Sequence, residues 1–271
     1  MLSSFSPVLA HHPTTLDEAV AAVASGATPL AGGTDLMVEA NARHVRPDHV
    51  VGLRRVAELK EWEGVRIGAG VTWRRIENDG PRALAQAART VGSPQIRNAG
   101  TIGGNLATAS PAGDGHPFIA AVDAHIELTS PTGTRTVPWH QFFTGVKKTC
   151  LRDDELITAV VLPEELPDRH EFAKIGIRNA MVITTVCAVV TRDDGGRTTV
   201  ALGSVAPTPM RAGRAEEMIS GITKPGKSDL DEFARLVSEE VSPITDHRST
   251  ESYRRHAAGV LCRRLLERVC A

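Results

Sequence analysis

The chain has 271 residues, 41% hydrophobic and 23% charged. That is the length of about two domains at roughly 100–200 residues each, with ordinary globular composition. Lys and Arg number 31 against 32 Asp and Glu, a net charge of −1, which argues against non-specific nucleic-acid binding because that needs a cationic surplus. Cys150, Cys187, Cys262 and Cys270 include no Cys-x2-Cys pair, which argues against a zinc knuckle, an in-chain iron–sulfur cluster and a disulfide framework.

Aromatic residues are 4% of the chain, with Tyr253 the one tyrosine, too few for a single-strand stacking surface. No apolar run reaches the roughly eighteen residues of a membrane span. The opening MLSSFSPVLAHHP lacks a basic n-region and reads poorly as a signal peptide. The expectation is a cytoplasmic enzyme or enzyme subunit.

In chain order, Thr15 with Glu18 predicts a capping box opening a helix, with Leu16, Val20 and Val23 as its apolar stripe and Gly26 as its stop. Thr28 to Leu30 is extended and leads into Ala31-Gly32-Gly33-Thr34-Asp35. Strands are expected at His49–Val51 and Val65–Ala69, a helix capped by Thr72 to about Asn78, and another from Pro81 to about Val91. Gly92 to Asn105 carries too many turn formers for one regular element. A helical turn or two follows at Pro117–Val122, then a hairpin from Ile126–Thr129 to Arg135–Val137, then a strand at Leu156–Leu162.

Glu164 to Arg169, charged and proline-containing, reads as the domain boundary. Val182–Val190 and Thr198–Val205 read as strands joined by the Asp193-Asp194-Gly195-Gly196 turn. Helices complete the chain, at about Arg211–Ser220, Asp229–Val241 and Ser249–Val269. Mixed order without strict βαβ alternation favours an α+β fold.

Two glycine pairs could carry chemistry: Ala31–Asp35 and Thr101-Ile102-Gly103-Gly104-Asn105. Glycine admits positive φ and close backbone approach, and successive N–H groups in such turns make an anion nest. The pairs therefore suit a pyrophosphate held from two sides; the plain alternative is two turns. Gly221 to Ser228 spells G-x4-G-K-[ST]. No strand precedes it, Pro225 removes an N–H, and no strand ending in Asp follows, so a solvated turn between helices is the better reading. Gly68-Ala69-Gly70 starts a dinucleotide fingerprint that Trp73 interrupts. Asp114-Gly115-His116 offers too few ligands for a metal, with a loop-capping Asp114 as the alternative, and His11-His12 read as solvated. No catalytic constellation and no metal site are expected.

Together these residues resemble the FAD-binding (medium) subunit of the molybdenum hydroxylases, the family of aerobic carbon monoxide dehydrogenase and xanthine dehydrogenase. The resemblance is carried by LAGGTDL (Leu30–Leu36), IGAGVTW (Ile67–Trp73), VGSPQIRNAGTIGGNLATASPAGD (Val91–Asp114), DDELITAVVLP (Asp153–Pro163), FAKIGIRNAM (Phe172–Met181), ALGSVAPTPMRA (Ala201–Ala212) and YRRHAAGVLCRR (Tyr253–Arg264). It spans nearly the whole chain in order.

The resemblance implies a two-part FAD-binding domain of the vanillyl-alcohol-oxidase/PCMH type over 1–163, with subdomains of about 1–55 and 56–163. A C-terminal α+β domain over 169–271, a three-stranded sheet with helices, would follow. It implies non-covalent FAD, its pyrophosphate gripped by Pro29, Leu30, Ala31, Gly32, Gly33, Thr34 and Asp35 and by Thr101, Ile102, Gly103, Gly104 and Asn105. Val91 would border the site, Asp114 would contact the flavin side, Ile157 would pack near the isoalloxazine, and Lys174 would supply positive charge beside it. Family members vary at the Asp35 position, so a specific contact from its side chain is not implied. The implied role is electron relay from the [2Fe-2S] clusters of a small partner subunit, through FAD, to an external acceptor. Molybdopterin would sit on a large partner subunit, in a dimer of heterotrimers. Alternatives are a stand-alone flavoprotein oxidoreductase of the same fold and a P-loop protein using Gly221 to Ser228.

Overall fold

The structure is a computed structural model and describes residues 8–271. The first part of the stretch read for a leader lies outside the described residues. Strand β1 (Leu9–His11), helix α1 (Leu16–Ala24), β2 (Thr28–Leu30), α2 (Leu36–Asn41) and β3 (His49–Gly52) open the chain. Their strands form a parallel sheet in the order β1-β3-β2. This is a local βαβ alternation inside a mixed fold. Thr15 caps α1 as expected: its hydroxyl accepts from the Glu18 N–H, and the Glu18 carboxylate accepts from the Thr15 N–H. Ala19, Val20 and Val23 form the buried face, and Gly26 at φ +92° turns the chain away.

Next come β4 (Trp62–Glu63), β5 (Arg66–Gly68), α3 (Trp73–Asp79), α4 (Arg82–Thr90), α5 (Pro94–Ala99), α6 (Ile102–Thr108) and α7 (His116–Ala121). The hairpin β6 (His125–Ser130) and β7 (Gly133–Pro138), the short α8 (Trp139–Phe142), β8 (Phe143–Gly145), β9 (Lys148–Thr149) and β10 (Leu156–Val161) follow. An antiparallel sheet runs β4-β5-β10-β6-β7, with β8-β9 as a separate pair.

The stretch from Gly92 to Asn105, expected to be irregular, contains α5 and the first turns of α6. Its turn formers are helix caps and stops. Ser93 Oγ accepts from the Ile96 N–H, Pro94 takes the first turn, Gly100 ends α5, and Thr101 Oγ1 accepts from the Gly104 N–H.

The last part comprises β11 (Arg169–Ile175), β12 (Val186–Arg192), β13 (Thr198–Gly203), β14 (Met210–Arg211), α9 (Gly213–Ile219), α10 (Lys227–Glu240) and α11 (Glu251–Cys270). The Asp193–Gly196 hairpin is present, with Gly196 at φ +83°. The expected strand from Val182 begins later, at Val186. The sheet has four strands, β11-β12-β13-β14, where three were expected. The fourth is two residues after Pro209, too short to show alternation.

The period-two alternation of this sheet explains how the two parts join. Phe172, Cys187, Val189 and Ala201 point into the same core as the first two sheets, which includes Leu84, Ala87, Phe118 and Ile119. Val186, Ala188, Val190, Val200 and Leu202 point the other way, onto a second core with Phe233, Val237, Ala258, Leu261 and Leu265 of α10 and α11. The last sheet therefore closes the first core with one face and founds its own with the other.

Candidate functional site

The first glycine loop follows β2, whose Pro29 and Leu30 pair with Val51 and Gly52. Gly33 stands at φ +73°, in the left-handed region that favours glycine. A Cβ on Gly32 would overlap the Ala99 carbonyl, so Gly32 is required where the loop passes the end of α5. Among the described residues no acceptor takes the N–H groups of Gly32, Gly33, Thr34 and Asp35. Ala31 to Thr34 are half-buried and Asp35 is exposed. The loop thus presents a row of free backbone donors at the surface, suited to a multiply charged oxyanion.

The second pair differs. Gly103 and Gly104 lie in the first turn of α6, and the backbone donors there are already used. Ile102 N–H donates to the Val71 carbonyl, Gly103 N–H to Ala69, Gly104 N–H to Thr101 Oγ1 and Asn105 N–H to the Thr101 carbonyl. The second anion nest expected from sequence is therefore absent. Gly103 serves packing, since a Cβ there would sit 2.6 Å from Ala69 Cβ. Gly104 is bare, with only Thr101 Oγ1 near its Cβ position, at 3.2 Å. Thr108, one helical turn on, donates to the Gly104 carbonyl at 2.9 Å and to Asp35 Oδ2 at 2.5 Å. Thr34 Oγ1 lies 3.3 Å from the Cβ position of Gly100. The structure thus brings the two motifs together, with free N–H groups on one and a side-chain-free surface on the other.

Asp114 and Lys174 come together 60 residues apart, as a buried ion pair of 2.5 Å with side chains 6% and 8% exposed. Thr90 Oγ1 donates to Asp114 Oδ2 at 3.0 Å, Thr184 Oγ1 donates to Oδ1, and Lys174 Nζ also donates to the Thr90 carbonyl at 3.3 Å. Burial pushes the Asp114 pKa up, while the Lys174 charge and the three donors favour the ionised form. Val91 ends α4 beside Thr90, and its carbonyl accepts from the buried Arg97, which is paired with Glu77 at 2.9 Å. Ile157 is a buried β10 residue opposite Leu128 in the first core, next to a register irregularity ending at Ala159.

Sequence reasoning missed Thr90, Thr184 and Arg97 and weighed His116 only as a metal ligand; all four are fixed by partners distant in the chain or by burial. Among the described residues no group of three metal-binding side chains exists, and His116 has partners of another kind. Its Nε2 donates to the Asn105 carbonyl at 3.1 Å and its ring packs on Gly113 and Phe143. Burial depresses its pKa to about 4, so the ring is neutral and ties α7 to α6. His11 and His12 are exposed, as expected.

The Gly221 to Ser228 string is the turn after α9 running into the first residues of α10, Lys227 and Ser228, with no strand before it. Gly221 N–H donates to the Gly196 carbonyl, Gly226 N–H donates to Asp229, and Arg192 holds the Ile222 carbonyl. Gly68 and Gly70 pack on the Leu59 backbone. Neither string offers a nucleotide cradle. A recess of about 580 Å³ lined by Ser238, Thr250, Arg255 and His256, and one of about 280 Å³ lined by Trp139, Phe143 and Met210, share no residue with the glycine loops.

Comparison with known proteins shows the family of the chain. The family profile described as the FAD binding domain in molybdopterin dehydrogenase matches residues 3–165, and that of the CO dehydrogenase flavoprotein C-terminal domain matches residues 172–269. The nicotinate dehydrogenase FAD-subunit of Eubacterium barkeri is 39% identical over 212 residues, 71% of each chain. The xanthine dehydrogenase FAD-binding subunit of Escherichia coli O157:H7 is 31% identical over 280 residues, 96% of this chain and 95% of that one. Among solved structures, carbon monoxide dehydrogenase from Hydrogenophaga pseudoflava, in a form lacking the Mo-pyranopterin moiety of its molybdenum cofactor, superposes with TM-score 0.87. That match has 31% identity and covers 97% of both chains.

Proposed function

The chain belongs to the FAD-binding subunits of the molybdopterin dehydrogenases, and we propose that within this oxidoreductase family it acts as an electron relay. Electrons would come from the [2Fe-2S] clusters of a small partner subunit and leave to an external acceptor. The observation that carries this reading is the row of free N–H donors from Gly32 to Asp35 beside the bare Gly104 surface of α6.

The residues present fit FAD. The loop of Pro29 to Asp35 would hold the pyrophosphate through its backbone N–H groups, without a lysine. Thr101 to Asn105 would contribute shape rather than donors: Thr101 caps α6, Ile102 and Gly103 anchor it, and Gly104 and Asn105 would meet the cofactor. Val91 and Ile157 would line the ring side, and Asp114 and Lys174 would place a fixed ion pair there. Bound FAD supplies the ability to take electrons singly and release a pair. The chain's own work is to bind, orient and exclude water. We take 1–163 as the cofactor-binding part and 169–271 as the second part.

The related proteins are named for nicotinate, xanthine and carbon monoxide. One flavin subunit type serving such different substrates supports placing substrate selection on a molybdopterin-binding large subunit. The assembly we propose is a dimer of heterotrimers. Four thiols without a disulfide support a reducing, cytoplasmic setting, and among the described residues no helix is long and apolar enough to cross a membrane.

Gly104→Ala tests the reading. The new Cβ meets only Thr101 Oγ1, and alanine raises helix propensity by about 1 kcal/mol. The variant should therefore melt no lower than the parent yet bind FAD at least tenfold more weakly in a fluorescence titration. Undiminished FAD affinity would remove Gly104 from the site, and failure of the parent chain to take up FAD would remove the function. Acid precipitation should release the flavin into the supernatant, as non-covalent binding requires.

A further inference from the structure

Asp114 receives hydrogen bonds from three side chains, and one of them is placed unlike the others. Thr90 belongs to α4 and Lys174 to β11. Thr184 belongs to no regular element; it lies in the connection between β11 and β12, directly after the exposed Ile177, Met181 and Ile183. Yet Thr184 is fully buried, and its hydroxyl reaches Asp114 Oδ1. Something other than sheet or helix must hold it.

A charged cluster, fully buried at Arg254 and half-buried at Arg248 and Asp246, does so. Arg248 Nη1 donates to the Thr184 carbonyl at 3.0 Å, and Ser204 Oγ donates to the same oxygen at 3.1 Å. Arg254, 1% exposed at the start of α11, donates from Nη1 to the carbonyls of Thr185 at 2.8 Å and Ser204 at 3.0 Å. The Asp246 carboxylate joins the two guanidiniums, accepting from Arg248 Nη2 at 2.6 Å and Arg254 Nη2 at 2.7 Å. A fully buried guanidinium, with a half-buried guanidinium and carboxylate beside it, thus fixes carbonyls of a connection that is otherwise largely exposed. An apolar cluster of the same volume packs a sheet at least as well, so packing alone does not account for the choice.

We propose that Arg248, Asp246 and Arg254 are positioning residues for the flavin-side Asp114–Lys174 pair, acting through Thr184. The proposal rests on the reading that this pair borders the flavin. The network fixes the Thr184 backbone, the Thr184 hydroxyl fixes one Asp114 oxygen, and Asp114 holds Lys174 Nζ where its charge faces the cofactor. Thr184 links the α11 end of the molecule to the pair through hydrogen bonds.

The test uses the full chain with FAD as the probe and three readouts: FAD dissociation constant, midpoint potential of the bound flavin, and melting temperature without FAD. Thr184→Val keeps the shape and deletes the donor; Arg248→Met cuts the carbonyl tie, and Arg248→Lys restores a donor. Thr184→Val and Arg248→Met should each weaken FAD binding about tenfold and move the flavin potential in the same direction as Asp114→Asn. Arg248→Lys should recover most of both. If Thr184→Val and Arg248→Met lower the melting temperature while leaving affinity and potential at parent values, the network is a fold element only and the proposal fails. If Asp114→Asn itself leaves both flavin readouts unchanged in a chain that binds FAD, the placement of the flavin fails first and the proposal with it.

Discussion

His116 carries a consequence for acid stability. Its ring is neutral and wholly buried, with a pKa near 4 against 6.5 in water, because burial penalises the charged form. The unfolded chain binds a proton in this range and the folded chain does not, so stability falls as pH drops from about 6.5 to about 4 and levels off below. The drop corresponds to ~3 kcal/mol. Urea midpoints of the chain should decline over that window, and His116→Phe should flatten the decline at the cost of the Asn105 tie. An equally steep decline in the variant would assign the effect elsewhere. The role was invisible in the sequence, where Asp114-Gly115-His116 suggested a metal or a loop cap. A histidine's burial is decided by what packs over it, here Phe143 and Gly113, and neither is signalled by local spacing. The glycines were legible as special positions for a simple reason: few residue types tolerate φ +73° or the approach of another backbone. What they could not reveal is which N–H groups remain free.

At the scale of elements, local chemistry was read well where one signal had one meaning. The Thr15–Glu18 box, the Pro81 start of α4 and the Asp193–Gly196 hairpin all appear where expected. The stretch from Gly92 to Asn105 misled because serine, proline, glycine and threonine serve turns and helix ends alike, and two short helices placed end to end use both. β14 was missed because two residues hold no period. The α6 cap offers a direct check. Thr101 Oγ1 accepts from the Gly104 N–H at 3.0 Å, so Thr101→Ala should cost about 1 kcal/mol in urea denaturation. No measurable loss would mean that another acceptor takes over the Gly104 N–H.

For the whole molecule, the boundary read at Glu164 to Arg169 divides the sequence but not the hydrophobic interior. One face of the β11–β14 sheet belongs to the first core through Phe172, Cys187, Val189 and Ala201. Polar ties cross the same surface: Gln86 to Glu171 at 2.7 Å, Ala83 N–H to His170 Nδ1 at 3.0 Å, and Thr199 to the Ala121 carbonyl at 2.8 Å. A fragment of residues 169–271 expressed alone would expose that apolar face, and it should aggregate or bind a hydrophobic dye, whereas the full chain should melt in one calorimetric transition. A soluble, monomeric fragment with its own sharp transition would refute the shared core. The two-sided burial accords with the apolar run from Val186 to Val190 in β12, since a half-solvated strand alternates instead.

The shared sheet also sets a timetable for the newborn chain. A ribosome adds roughly 5–20 residues per second, so the strands that cover α4 and α7 emerge only seconds after those helices have left the exit tunnel. Until then the first part waits with an uncovered apolar flank. Asp114 waits as well, because Lys174 and Thr184 have not been made. The Asp114–Lys174–Thr184 cluster therefore assembles only after β11 and the connection behind it have been made.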